Sequence, residues 1–438
     1  MESGATATSP ALWRYVYEVQ TGDFQNVCAE SLSDTIHQLR SNKKHSNIDI
    51  VVINNWLFGY CGSVLAHLFD SSIIIFNVAG PHSTQMLGMG NSINPTSQPN
   101  LISPFIEPMT FFQRITNVIL ENLLNFFLNW SDSLALKSVR KKLGHDIPDF
   151  NSIVENRTAY SLANSHFVTH GAWPFYQNVI EVGGIHCKPG KDLSGDLKRF
   201  MDSYSSGVVY VSFGSAVKPS QMTEFQKNVF YAAFEELKIP IIWKWDDEDL
   251  SRIPSNVKVM KWVPQNDLLA HPNLKAFVTH GGLMSLQEAL FHKVPIVGVP
   301  IAFDQIGNLN RAQRNGYAIK LNLHSLTKDD LVSSIRRVMT DKNIQESIKK
   351  MHDLFTDDHF QAPMKRGVKA VEHVLKHKRL DFLKPFSIMG TPWYQYYGYD
   401  ILAFVIFIGI LYLIILIKCI RCCCTRSCYT KNIKTKTQ

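Results

Sequence analysis

The stretch Ala276-Phe277-Val278-Thr279-His280-Gly281-Gly282-Leu283-Met284-Ser285-Leu286-Gln287-Glu288-Ala289 decides the fold of this chain. Its first four residues read as the end of a buried strand. His280-Gly281-Gly282 is a tight turn, and a helix opens near Leu283. Glycines let an anionic ligand approach the backbone, and a helix N-terminus presents free N–H groups to it. Strand, glycine turn and helix in that order form the repeating unit of a doubly wound parallel sheet.

Outward from this unit the pattern recurs. Ile48–Ile53, Ser72–Val78, Gly207–Phe213, Pro240–Lys244, Val257–Met260 and Pro295–Val299 are short apolar runs of the kind buried on both faces of a parallel sheet. Helical stretches such as Gln221–Leu237 and Ser285–Phe291 alternate with them. The 438 residues suffice for two such domains. A Gly/Pro/Lys-rich stretch, Glu181–Ser194, is the expected break between them.

The net charge of +8 is spread along the chain, with no basic stripe interleaved with aromatics, which argues against a nucleic-acid partner. Half of the eight cysteines sit at the C-terminus, as Cys422, Cys423, Cys424 and Cys428. These read equally as palmitoylation sites or as free thiols. Cys28, Cys61 and Cys187 are scattered and predict neither a disulfide framework nor a zinc site, so no metal is expected.

Ile401–Ile417 carries no charge and predicts a single transmembrane helix. Trp393, Tyr394, Tyr396, Tyr397 and Tyr399 form an aromatic belt before it, and Lys418, Arg421 and later basic residues place the tail on the cytosolic side. Two glycosylation sequons, at Asn129 and Asn156, lie on the opposite side of the span and agree with a lumenal glycoprotein body. Lys434 and Lys436 resemble a dilysine retrieval signal of endoplasmic-reticulum membrane proteins. The aromatic-rich segment Met109–Trp130 reads either as a membrane-surface helix or as a helix packed on its own domain.

The run from Trp262-Val263-Pro264-Gln265-Asn266 through His280-Gly281-Gly282 and Glu288 to Asp304-Gln305, with Val209–Ser215 upstream, resembles the signature of UDP-glycosyltransferases and UDP-glucuronosyltransferases, glycosyltransferase family 1. The likeness is to the animal, insect-like, membrane-bound type. It implies an α/β fold of GT-B architecture: two Rossmann-like domains facing a cleft, plus the C-terminal transmembrane helix. It also implies inverting transfer of a hexosyl group from a UDP-sugar to a hydroxyl of a small lipophilic acceptor, a detoxification chemistry. No cofactor is implied, since the UDP-sugar is a co-substrate.

By the same resemblance, Trp262 flanks the uracil ring, and Gln265 and Asn266 bond the nucleoside. His280, Gly281, Gly282 and Ser285 hold the diphosphate, with Ser212, Gly214 and Ser215 approaching from the neighbouring loop. Glu288 accepts from the ribose, and Asp304 and Gln305 hold the transferred sugar. Met284 stands where many vertebrate relatives carry asparagine, which removes one phosphate contact. No arginine stands out to pair with a uronate, so UDP-glucose is favoured over UDP-glucuronate.

The N-terminal part departs from the family. Residues 1–12 have no apolar leader, and Ile48–Ile53 looks like the fourth strand of the family's first sheet, so the chain reads as N-terminally shortened with an unpaired apolar strand edge. The family's catalytic histidine has no counterpart, and Asn54 stands at the place of its aspartate. An alternative follows: a UDP-sugar-binding partner subunit, forming homo- or hetero-oligomers with active relatives. The expected divisions are an incomplete acceptor domain 1–185, a UDP-sugar domain with return helix 186–380, a stalk 381–400, the span 401–417 and a cytosolic tail 418–438 of an endoplasmic-reticulum membrane protein.

Overall fold

The computed structural model describes residues 24–41, 48–54, 60–81, 86, 89–91, 94–144, 146–214, 222–246, 250–357, 362–378, 380–385, 391–396 and 398–434. Residues up to Leu383 form a body, and Lys384–Gln438 form a second unit.

The body is built on two parallel sheets. The first has β1 (Ile50–Asn54), β2 (Ser72–Asn77), β3 (Thr158–Ala163) and β4 (Val179–Glu181), side by side in chain order. Alternate residues of β2 feed two cores, as the period of a strand requires. Ile73 and Ile75 pack with Val64, Ala135, Val139 and Phe150 from helices on one face. Ile74 packs on the other face with Ala370 and Val374 of the helix Pro363–His377, which returns from the far end of the body. A continuous apolar run is therefore what this strand needs, since neither face meets water.

Among the described residues β1 pairs only with β2, and Val52 is 60% exposed, so the apolar edge expected from the sequence is present. β3 escaped the sequence reading because Thr158-Ala159-Tyr160-Ser161-Leu162-Ala163 looks half polar. All six residues are nevertheless buried, and Ser161 accepts a hydrogen bond from Asn77 Nδ2 at 2.8 Å. That bond satisfies a hydroxyl that would otherwise be costly to bury.

The cysteine expectation needs correcting. Cys28, on the unforeseen helix Phe24–Ser41, forms a disulfide with Cys61 in the turn after β1. Spacing along the chain gave no sign of it, because the fold brings the two together.

The second sheet has β5 (Val208–Ser212), β6 (Ile241–Lys244), β7 (Val257–Met260), β8 (Leu274–Thr279), β9 (Ile296–Gly298) and β10 (Ala318–Lys320). Its order is β10-β9-β8-β5-β6-β7, all parallel. Counted within the domain this is 6-5-4-1-2-3, the doubly wound order, which reverses between β5 and β8. Val208 and Tyr210 enter one core layer, and Val209 and Val211 the other with Trp243, Phe230 and Phe234. The helix Glu224–Leu237 is closed at its start by a capping box between Thr223 and Gln226.

All but the first two residues of Met109–Trp130 fall in a longer helix, Phe111–Leu143, opened by a second capping box between Thr110 and Gln113. In the C-terminal unit the helix Tyr399–Lys434 runs past Ile417 into the basic tail. Its part Tyr399–Arg421 is long and apolar enough to cross a membrane.

Candidate UDP-sugar site

The reversal between β5 and β8 opens a crevice at the C-terminal ends of these strands, where open α/β sheets bind ligands. Ser212 ends β5 and Thr279 ends β8, and the two are in register. After β5 the chain turns at Gly214, which has a φ of +81°. After β8 it turns at Gly281, with a φ of +89°, and the helix Leu283–Phe291 starts behind Gly282. Gly282 at the N-cap has no side chain to cap that helix, and the Asp304 carboxylate accepts from the Leu283 N–H at its start.

His280 sits between the two turns. A Cβ on Gly282 would stand 2.7 Å from its Nε2, and one on Gly214 would stand 2.8 Å from its Cε1. Both positions need glycine so that the imidazole can lie flat against the backbone. Its Nδ1 is 3.4 Å from the Thr279 hydroxyl. Burial, helped by the nearby Lys244 ammonium, pulls the His280 pKa down to about 4. The ring is therefore neutral at pH 7 and meets a ligand as a hydrogen-bonding group, not a cation.

The positive charge comes from Lys244, which the sequence reading missed. It ends β6, donates to the Gly214 carbonyl at 3.2 Å, and lies 5.4 Å over the Trp262 ring. Trp262 is 74% exposed, an unusual position for a large aromatic unless its face awaits a flat partner. Nothing in the strand Ile241–Lys244 alone marks its last residue as part of a site.

A second cluster follows one turn along. Gln265 Nε2 donates to Glu288 Oε2 at 2.6 Å and to Ser285 Oγ at 3.1 Å, and Gln265 Oε1 accepts from the Tyr210 hydroxyl at 3.2 Å. Gln265, Ser285 and Glu288 thus come together from one helix face and the short helix Gln265–Leu269. Asn266 points elsewhere: its Oδ1 lies 3.1 Å from His292 Nε2.

Asp304 and Gln305 are both buried and bonded within the protein. Asp304 Oδ2 accepts from Asn308 Nδ2 at 2.7 Å, and Asn308 also donates to the Gly281 carbonyl at 3.2 Å. Burial pushes the Asp304 carboxyl up to about 6, against the opposing hydrogen bonds from Asn308 and from backbone N–H groups including that of Leu283. Gln305 Oε1 accepts from the Ile301 and Ala302 backbone N–H groups at 2.8 and 2.9 Å. These bonds tie the Asp304 loop to the glycine turn and to the start of the Leu283 helix. Phe303, just before, holds a φ of +58°, a costly conformation for a bulky residue.

Ser215 lies outside the described residues. Asn54 closes β1 and is exposed. The two sheets are joined by polar contacts: Arg311 Nη2 pairs with Glu107 Oε1 at 2.9 Å, Arg314 donates to the Glu107 carbonyl, and Asn310 Nδ2 donates to the Pro104 carbonyl at 2.6 Å.

These elements define a two-domain α/β protein that brings His280, Lys244 and Trp262 together at the switch point of its second sheet. The chain belongs to the UDP-glucoronosyl and UDP-glucosyl transferase family, whose model matches residues 4–435. It is 35% identical over 83% of its length to UDP-glucosyltransferase 2 of Dactylopius coccus, covering 70% of that protein. It is 29% identical to human UDP-glucuronosyltransferase 2B10, over 87% of this chain and 71% of the relative. Among solved structures, the glycotransferase of kitacinnamycin superposes with a TM-score of 0.55 at 20% identity, covering 81% of this chain and 84% of the other. Its GT-B fold is the fold of this chain. The family is one of enzymes that transfer a sugar from UDP to an acceptor.

Proposed function

We propose that this chain binds a UDP-hexose, UDP-glucose in preference to UDP-glucuronate, in the crevice between β5 and β8, and transfers the hexosyl group with inversion to a hydroxyl of a small lipophilic acceptor. The observation that carries this reading is the imidazole of His280 held between Gly214 and Gly282 at a glycine-capped helix start. The acceptor oxygen attacks the anomeric carbon as the bond to the diphosphate breaks, and the hydroxyl proton passes to a base on the acceptor side. Charge grows on the leaving oxygens, where Lys244, the neutral His280 and the helix N-terminus act on it. Ser212, Gly214, Ser215, Gly281 and Ser285 complete the diphosphate surroundings, Trp262 and Gln265 the nucleoside side, Glu288 the ribose, and Asp304 with Gln305 the sugar, while Asn266 bonds His292 and is left out of the nucleoside contacts. Met284 supplies only its backbone here.

The body is read as lumenal in the endoplasmic reticulum, anchored by Tyr399–Arg421. The Cys28–Cys61 disulfide supports an oxidising compartment. Asn129 and Asn156, both exposed on helices, are open to glycosylation.

A second reading rests on the sequence resemblance alone, which puts the neutral amide of Asn54 where the family has an aspartate. An amide orients an imidazole but does not stabilise its cation. The chain would then bind UDP-sugar without turnover, as a partner of active relatives. UDP release from UDP-glucose and from UDP-glucuronate, measured with a phenolic acceptor in membranes, tests the first reading. Calorimetric UDP binding with no release under any acceptor favours the second. Absence of binding removes both.

A further inference from the structure

We propose that Asn308 is a positioning residue for the transferred sugar: its side-chain amide holds the Asp304 carboxylate and the glycine turn in one fixed relation, and leaves that carboxylate to accept from a single sugar hydroxyl. The inference rests on the reading above, that Asp304 meets the hexose of a UDP-sugar.

Asn308 lies one turn after Asp304 on the helix Gln305–Arg314, where residues four apart share a face. Its Nδ2 donates to Asp304 Oδ2 at 2.7 Å and to the Gly281 carbonyl at 3.2 Å. One amide thus joins the loop assigned to the sugar and the turn assigned to the diphosphate. Asn308 is buried, which shields both bonds from solvent. The helix that carries it is fixed to the first domain. Arg311 pairs with Glu107, Asn310 donates to the Pro104 carbonyl, and a Cβ on Gly307 would stand 3.2 Å from the Ser103 carbonyl.

An ionised carboxylate offers about four lone-pair positions. Asn308 Nδ2, the Leu283 N–H and the N–H of Asp304 itself take up three of those on Asp304. About one remains, and the other three set its direction. Without Asn308 the carboxylate loses its side-chain donor, and burial then keeps it protonated to a higher pH. Among the described residues, the titratable side chains of the elements packed here are His280, Glu288, Arg311, Arg314 and Glu107. His280 is lowered to about 4 by burial, Glu288 accepts from Gln265, and both arginines bond Glu107. Asp304 changes charge at about 6.

The test is calorimetric binding of UDP-glucose to the full-length chain between pH 5 and 8, with UDP at pH 7.5 reporting an intact site. In the parent the UDP-glucose affinity should fall about tenfold as pH drops through about 6, because a charged acceptor bonds a hydroxyl more strongly than a neutral one. Asp304→Asn should abolish this step. Asn308→Ala should keep UDP binding and move the midpoint of the step up by about one pH unit. Asn308→Ser, which retains a donor, should move it less, and it decides the matter if the alanine variant loses UDP. A variant that binds UDP and keeps the step at the parent's pH overturns the proposal and leaves Asn308 a packing residue. A parent that binds UDP-glucose with no step removed by Asp304→Asn overturns the assignment of Asp304 to the sugar, and this proposal with it. A parent that binds neither UDP-glucose nor UDP overturns the function proposed above, and everything resting on it.

Discussion

The ring of His280 occupies the space that a side chain on Gly214 would take: a Cβ there would stand 2.8 Å from Cε1 and 3.0 Å from Nε2. Two loops that are distant in sequence, one after β5 and one after β8, therefore fix each other. Gly214→Ala forces the imidazole out and also strains a backbone at +81°, at a cost of about 1 kcal/mol for the strain alone. The expected outcome is a loss of UDP affinity of about tenfold or more by calorimetry, with a melting temperature only a few degrees lower. Gly282→Ala should do the same from the other side of the ring. Unchanged affinity in both variants would separate His280 from the diphosphate.

Lys244 makes a distinct prediction because it carries the charge that His280 lacks. Lys244→Gln keeps a donor for the Gly214 carbonyl and removes the ammonium beside Trp262. UDP binding should weaken by about 1–2 kcal/mol at low salt. The difference from the parent should shrink as salt is added, since a partly exposed charge is screened. Calorimetric titration at two ionic strengths checks this. A salt-independent loss would mean that Lys244 acts through packing.

What the sequence made legible follows a physical line. The turn Thr279-His280-Gly281-Gly282 was readable because strand, glycine and helix signals are local. The buried runs of β2, β5 and β8 were readable because both faces of each are dry. Lys244 was not, because only the neighbouring strands decide which groups meet at a strand's end. Asp304 was expected beside a sugar, yet its carboxylate is tied to Asn308 and the Leu283 N–H, a relation visible only once the helices Leu283–Phe291 and Gln305–Arg314 are packed. β3 hid behind Ser161 and Tyr160, whose burial depends on partners elsewhere in the chain. Cys28 and Cys61 hid for the same reason.

The disulfide closes a separation of 33 residues between the helix Phe24–Ser41 and the turn after β1. Loop closure of that length restricts the unfolded chain by about 3–4 kcal/mol. Cys28→Ser combined with Cys61→Ser should lower stability by that amount in chemical denaturation, and the mutant should be indifferent to reductant while the parent is not. Because β1 is an edge strand among the described residues, the mutant should also aggregate sooner on warming. If the parent shows two free thiols at these positions after purification from membranes, the oxidising-compartment argument falls with the bond.

Acid should destabilise the body, and the sign can be worked out group by group. Burial lowers His166, His280 and His292 to about 4 and His170 to about 3, from an ordinary value of 6.5. Unfolding lets each take up a proton between pH 6.5 and its lowered value, so each stabilises the fold less as pH falls through that window. Two carboxyls oppose this. Burial raises Asp132 to about 7 and Asp304 to about 6. Each holds a proton that the unfolded chain releases above 3.8, so their contribution is present at low pH and lost as pH rises towards neutrality. Glu181 is shifted the same way, by burial. Between pH 6 and 4.5 the four histidines outweigh Asp132 and Asp304 by somewhat under two protons, which corresponds to a fall of about 2 kcal/mol per pH unit. Denaturant unfolding at several pH values should show this slope. His292→Asn should flatten it by about one proton, since asparagine does not titrate and retains a donor for the Asn266 Oδ1. A parent whose stability rises on acidification across this window would mean that the carboxyls dominate and that the histidines are not held neutral.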